Sequence, residues 1–355
     1  MKTFLQPLQN LAEMEEIQKQ AKKNRGILEI SGCMESQKAH LMYGLSGLFP
    51  CHLVIAADEK SAKELYEDYR FYDKRVYYYP AKDLLFFQAD IHGNLLIRQR
   101  MQVIRALLER EDEITVVTSI DGCMDYLAPL EKIEKQLMHF RNDSTLDMDK
   151  LTAALVHMGY ERVGQVEMPG QFSIRGGIID IYSLTEENPW RIELWGDEID
   201  SIRSFDAQSQ RSLENLDDVT IYPAAEQPME KNGVLFLDYF KETETLFFLD
   251  ELNHLEENAK AVQEEFQQSC ENRKEKGEIS LSGDWMCTWE ELCHKINDRN
   301  CVAMSLLDPK KSNWKISGQF NITVKSMSSY QSSFELLVKD LKQYKKEGYR
   351  IVLLS

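Results

Sequence analysis

No run of eighteen apolar residues occurs in the 355-residue chain, so a membrane-spanning helix is not expected. The opening stretch, MKTFLQPLQNLAEMEE, has neither a continuous apolar core nor a small-residue cleavage site, which argues against a signal peptide. Paired cysteines are missing too. Cys33, Cys51, Cys123, Cys270, Cys287, Cys293 and Cys301 are odd in number, and no two stand as C-x-x-C. Neither a disulfide framework nor a zinc site is expected, and reduced thiols in a cytoplasmic protein fit better. The seven histidines show no metal-ligand spacing, and no metal or other cofactor is expected. Positive charge is also short. Lys and Arg number 42 against 59 Asp and Glu, a formal net charge of −17. Such a field repels phosphate backbones, so little or no autonomous nucleic-acid binding is expected. What remains is ordinary soluble globular composition, 43% hydrophobic and 28% charged, long enough for two or three domains.

The hydrophobic pattern opens in α/β grammar. Residues 7–24 predict an amphipathic helix, with Leu8, Leu11, Met14 and Ile17 at helical spacing. GILEISG (26–32), CHLVIAAD (51–58), RVYYYP (75–80) and EITVVTS (113–119) read as buried strands with helices between them. Ser61, with Glu64 three residues on, suggests a capping box for the helix after the second strand. Alternating strand and helix is the pattern of a doubly wound parallel sheet. After about residue 120 the grammar changes. TLDMDKLTAALVHMGY predicts a helix closed by Gly159. Strands then follow with little helix between them, and Gly176-Gly177 marks a turn or bulge. The parallel grammar resumes at ETLFFLDE (244–251), so the middle segment reads as a small α+β insertion. DPKKSNWKISGQ (308–319) has linker composition. Beyond it a helix leads to an apolar strand, Tyr349–Leu354, and a chain stopping at IVLLS suggests a piece of a longer protein.

The first strand-to-helix turn is where a nucleotide phosphate would sit. A phosphate loop needs G-x-x-x-x-G-K-[ST]: glycines so that backbone N–H groups wrap the phosphates, a lysine, and a hydroxyl for Mg²⁺. Here Gly32 and Lys38 keep register. Gln37 replaces the second glycine, Ala39 replaces the hydroxyl, and Glu35 puts a negative charge where an anion would dock. Asp250-Glu251, at the end of LFFL, stand where an acidic pair would bind Mg²⁺ through water. Read from the residues alone, the turn is an ordinary strand-to-helix connection and the acidic pair a vestige. His254, three residues on, is a remnant of the same motif or a surface residue.

Four separated stretches carry a family resemblance. MQVIRALLEREDEITVVTSIDGCMDYLA (101–128), GYERVGQVEMPGQFSIRGGIIDIY (159–182), RIELWGDEIDSIRSFDAQSQRSLENLDDVTIYP (191–223) and GVLFLDYFKETETLFFLDE (233–251) resemble, in order, segments of the excision-repair protein UvrB. The resemblance covers about residues 25–255. Two departures from UvrB, the altered phosphate turn and the short segment YYYPAKDLLFFQADIHGN with little room for a DNA-clamping hairpin, resemble the amino-terminal modules of transcription-repair coupling factors.

That resemblance implies a degenerate phosphate-loop NTPase-like (RecA-like) parallel layer with an inserted small α+β domain. The implied division is 1–121 and 211–307 for the layer, 122–210 for the insertion, 308–327 for a linker and 328–355 for the start of a following domain. It also implies a role. The module recruits UvrA to stalled transcription and does not hydrolyse ATP, while the parent's translocase and RNA-polymerase-binding domains lie elsewhere. In the family the insertion binds UvrA, and the matching positions here are Arg162, Arg175 and Tyr182, with Phe172 as a further candidate. Arginine beside an aromatic suits docking, because its planar fork gives two directed bonds to a carboxylate. Without the resemblance, both arginines read as solvated strand and turn residues. The alternative function is a divergent UvrB-type ATPase that senses DNA damage.

Overall fold

A computed structural model describes the chain except residues 1, 24, 83–92, 226–232, 277–285, 308–312, 325–329, 331–332 and 352–355. Two compact units result, Met1–Ile322 and Thr323–Ser355. In the first unit, α1 (Lys2–Gln9) and α2 (Met14–Lys23) precede β1 (Gly26–Ser31), α3 (Glu35–Leu45), β2 (Cys51–Ala56), α4 (Glu59–Tyr69), β3 (Val76–Tyr79), α5 (Gly93–Leu108) and β4 (Ile114–Ser119). The single helix expected over 7–24 is thus two, separated at residues 10–13. The cap of α4 also differs. Asp58, not Ser61, has extended backbone there, and its carboxylate accepts the Ser61 N–H at 2.7 Å.

The middle segment contains β5 (Tyr126–Leu127), α6 (Leu130–Glu134), β6 (Met138–Arg141), α7 (Met148–His157), β7 (Glu161–Arg162), β8 (Gln171–Arg175), β9 (Ile178–Ile181), β10 (Trp190–Trp195), β11 (Glu198–Phe205), β12 (Ser212–Leu216), β13 (Asp218–Ile221) and β14 (Val234–Leu235). Then β15 (Thr245–Asp250), α8 (Leu252–Glu275), α9 (Trp289–Asn297), β16 (Asn300–Ser305) and β17 (Ile316–Asn321) return to the first layer.

Seven strands form one sheet in the order β17-β1-β16-β15-β2-β4-β3, every pair parallel. All six residues of β1, of β4 and of β15 are buried, as continuous apolar runs under helices on both faces require. On α8, Leu252, Leu255 and Ala259 are buried, and Val262 and Phe266 pack against the core behind them.

The insertion is a six-stranded sheet in the order β12-β11-β10-β9-β8-β7, antiparallel except for β7 beside β8. Its two ends are zipped together where β6 pairs with β13. β12 and β13 fall past residue 210, so strand pairing carries the insertion beyond the expected boundary.

The linker expected over 308–327 is also revised. Ile316–Asn321 pair in parallel with β1, and the Ile322 N–H donates to the Ser31 carbonyl at 2.9 Å. The sequence ISGQFN is polar because an edge strand is covered on one side only. Its residues alternate between half-buried and exposed.

In the second unit, α10 (Phe334–Lys346) contains no buried residue, and Lys339, Lys342, Lys345 and Lys346 are exposed. Tyr349–Ile351 are not strand, and residues 352–354 of the expected final strand lie outside the described residues. Most of the segment 77–94, read as too short for a hairpin, lies outside them too.

Candidate functional site: the first turn and the inserted sheet

Only Gly32–Met34 separate β1 from α3. Gly32 has φ +78°, and a Cβ there would meet the carbonyl oxygen of Ile322 at 2.0 Å. Glycine is required both by the left-handed backbone and by the chain leaving β17. The N–H groups of Gln37 and Lys38 donate to the Met34 carbonyl at 2.9 and 3.1 Å, so they are committed to helix α3. Ala39 is fully buried, and Glu35 stands exposed in the first turn of the helix. The Cys33 thiol is buried, and burial, against the pull of Lys38, pushes its pKa up to about 12.

Lys38 is buried and turned inward. Its Nζ lies 2.5 Å from Asp250 Oδ1 and 2.7 Å from Glu251 Oε1. Burial pulls the ammonium pKa down, but the charges and hydrogen bonds of these carboxylates outweigh it and hold the group above its ordinary value. Glu251 is fixed in turn. Its φ is +55°, its N–H donates to the Met304 carbonyl at 3.0 Å, and Oε1 also accepts the Leu306 N–H at 2.8 Å. The turn thereby ties β1–α3 to the ends of β15 and β16. The cleft beside it, ≈ 910 Å³, is lined by Glu35, Asp58, Glu64, Asp68 and His254 among others. The sequence motif thus comes together in space, with Gly32, Gln37, Lys38, Ala39, Asp250 and Glu251 gathered past the C-terminal ends of β1 and β15. Lys38 is occupied there by protein carboxylates.

In the inserted sheet, strand alternation sorts the expected docking residues. Phe172 is fully buried and Tyr182 nearly so, its hydroxyl donating to the Glu187 carbonyl at 2.5 Å. Both belong to the core, which corrects their expected place on a docking surface: Phe172 shares the inward face with Ile179 and Ile181. Arg162 and Arg175 are exposed, but they point to opposite faces. Arg162 and Ile174 line one shallow groove with Met148, Thr152 and Val156 of α7. Arg175 follows Ile174 on the strand and therefore faces the other way.

On that outer face Arg175 meets Asp180 at 2.6 Å. Asp180 is fully buried, and it also takes Arg191 in a bidentate pair, Nε at 2.6 Å and Nη2 at 2.8 Å. One carboxylate between two guanidiniums leaves a net positive charge, half-exposed at Arg175. Asp180 and Arg191 did not stand out in the sequence. The available signal was a carboxylate inside IIDIY, where alternation places it opposite the apolar face.

Residues 138–226, which include this sheet, match the UvrB interaction domain family. The chain as a whole is similar to transcription-repair-coupling factors. It is 28% identical to that of Bacillus subtilis (strain 168), over 92% of this chain and 34% of the relative. It is 37% identical to that of Staphylococcus aureus (strain MRSA252), over 43% of this chain and 13% of the relative. The Staphylococcus haemolyticus (strain JCSC1435) protein is 36% identical over 42% of this chain and 13% of its own length. The chain therefore spans about a third of the Bacillus relative, and its likeness is to the UvrB-like module of such factors, as its four motifs implied.

Proposed function

We propose that this chain is an interaction module that binds the excision-repair protein UvrA through its inserted sheet. Within a longer coupling factor it brings UvrA to stalled transcription, while translocation and RNA-polymerase binding reside in other domains. The observation that carries this reading is the Arg175–Asp180–Arg191 cluster, a directed positive charge on an acidic chain, inside the segment that matches the UvrB interaction domain. A partner that meets both Arg175 and Arg162 must grip the edge of the sheet over the short strand β7. We further propose that the module neither binds nor hydrolyses ATP, because Lys38 already has two carboxylates for partners.

The test is titration of purified UvrA against the wild-type chain and single variants, with circular dichroism to confirm folding. Arg175→Ala should weaken binding about thirtyfold, the consequence of stranding a partner carboxylate. Arg162→Ala should weaken it about tenfold, and Lys339→Ala should leave it unchanged. Arg175→Ala should still fold, because Arg191 continues to neutralise Asp180. If both arginine variants bind like the wild type, the docking face lies elsewhere; if the wild type does not bind, the reading is lost. Calorimetry with Mg·ATP on the same chain should show no isotherm at submillimolar nucleotide. A clear isotherm would favour the divergent ATPase.

A further inference from the structure

Trp195 is 83% exposed, the most exposed large apolar side chain among the described residues. It ends β10 at a hairpin tip. The β10–β11 register shifts between Glu193 and Leu194, and Gly196, with φ +65°, makes the turn. A bulge before a tight turn re-aims the side chains that follow it.

The backbone of this tip is stitched down. The Leu146 N–H donates to the Asp197 carbonyl at 2.7 Å, and the Ile199 N–H to the Ser144 carbonyl at 2.8 Å. An indole carried on a fixed backbone loses little freedom when it is covered. The tip also abuts the turn that follows Arg175. The Leu194 N–H donates to the Gly177 carbonyl at 2.8 Å, and a Cβ on Gly177 would meet the Leu194 carbonyl oxygen at 3.1 Å. Residues 175–177 and 195–198 are all exposed, so two hairpin tips present one surface with a guanidinium and an indole at the same end of the sheet.

We infer that Trp195 is the apolar anchor of the docking face whose charged member is Arg175, and that the partner offers a recess for the indole beside a carboxylate. This deepens the proposed UvrA docking and rests on it. Tryptophan and arginine are the residues that dominate binding at interfaces, and an indole brings a large apolar area with a polar edge. It also orients the partner. An interface centred on these tips covers the end of the sheet and the outer face at Arg175, and it leaves the groove along α7 to contribute at its margin.

The experiment is titration of purified UvrA into the full chain and its Trp195→Ala, Trp195→Phe and Arg175→Ala variants, with Phe71→Ala as an exposed aromatic control outside the insertion. Trp195→Ala should weaken binding about thirtyfold, and Trp195→Phe by about threefold. The wild type should show a blue shift of tryptophan emission on binding that Trp195→Phe lacks. If Trp195→Ala binds like the wild type while Arg175→Ala is weakened, the anchor is refuted and the docking reading stands. If the wild type fails to bind UvrA, both are lost. If Trp195→Ala leaves UvrA binding intact but alters the sedimentation of the chain alone, the indole serves contact between copies and the inference is overturned.

Discussion

Asp121 and His52 lie in the same layer and titrate in opposite senses. Burial, reinforced by Glu59 and other carboxylates, pushes Asp121 up to about 6, from an ordinary value of 3.8. The folded protein therefore binds the proton more tightly than the unfolded chain, and this contribution to stability falls as pH rises from about 4 to 6. His52 is buried in β2 with Nδ1 3.3 Å from the Thr115 hydroxyl, and burial pulls its pKa down to about 4 from 6.5. Here the unfolded chain binds the proton more tightly, so stability is lost as pH falls from about 6.5 to 4. The two slopes oppose each other over a shared window. Asp121→Asn should raise stability at pH 7 by on the order of 2 kcal/mol and steepen the acid-side loss. His52→Gln should flatten or reverse that loss. Urea denaturation at several pH values between 4.5 and 7.5 reads both, and stability curves parallel to the wild type would rule this account out.

At the scale of the element, the Lys38 clamp holds β1–α3 against β15. Lys38→Met should cost about 3–5 kcal/mol, because it leaves Asp250 and Glu251 without their cation in a buried site. Adding Asp250→Asn should recover part of that loss. Strictly additive costs in denaturant unfolding would show that the groups are uncoupled.

How the elements were legible follows from the same physics. GILEIS, ITVVTS and TLFFLD announced buried parallel strands because no charged residue interrupts their interiors except Glu29, whose carboxylate accepts from Gln319 Nε2 at 2.8 Å. β17 was hidden because an edge strand needs no continuous apolar run, and ISGQFN resembles a linker. The turn at Gly176-Gly177 was visible in the glycines. The opposite facing of Arg162 and Arg175 was not, because it depends on β7 lying beside β8 in parallel, a pairing between segments with a loop between them. Phe172 and Tyr182 misled because their burial depends on tertiary packing: Phe172 faces inward opposite Ile181, and Tyr182, just past β9, is tied by its hydroxyl to the Glu187 carbonyl.

Across the whole first unit, one hydrophobic core runs without a break from Leu53, Val116 and Phe247 in the parallel sheet to Ile179, Ile192 and Ile202 in the insertion. Helix α5 reinforces the junction. Arg105 pairs with Glu186 at 2.5 Å, the Arg98 guanidinium donates to the Glu186 carbonyl at 3.2 Å, and Glu109 accepts the Tyr222 hydroxyl at 3.0 Å. The insertion and the layer should therefore unfold together. Hydrogen exchange across a denaturant series should give β9 and β15 the same midpoint, and two separate midpoints would show independent domains. The inward-turned lysine gives this single body a further property. A nucleotide switch has an empty state because its anion can leave. Here Lys38 is met by Asp250 and Glu251, anions covalently part of the chain, and in the ATP-free module proposed above that pairing lasts for as long as the protein is folded. Such a module keeps no time of its own. On the proposed reading it holds one shape between encounters, and the rhythm of the process is set by other domains.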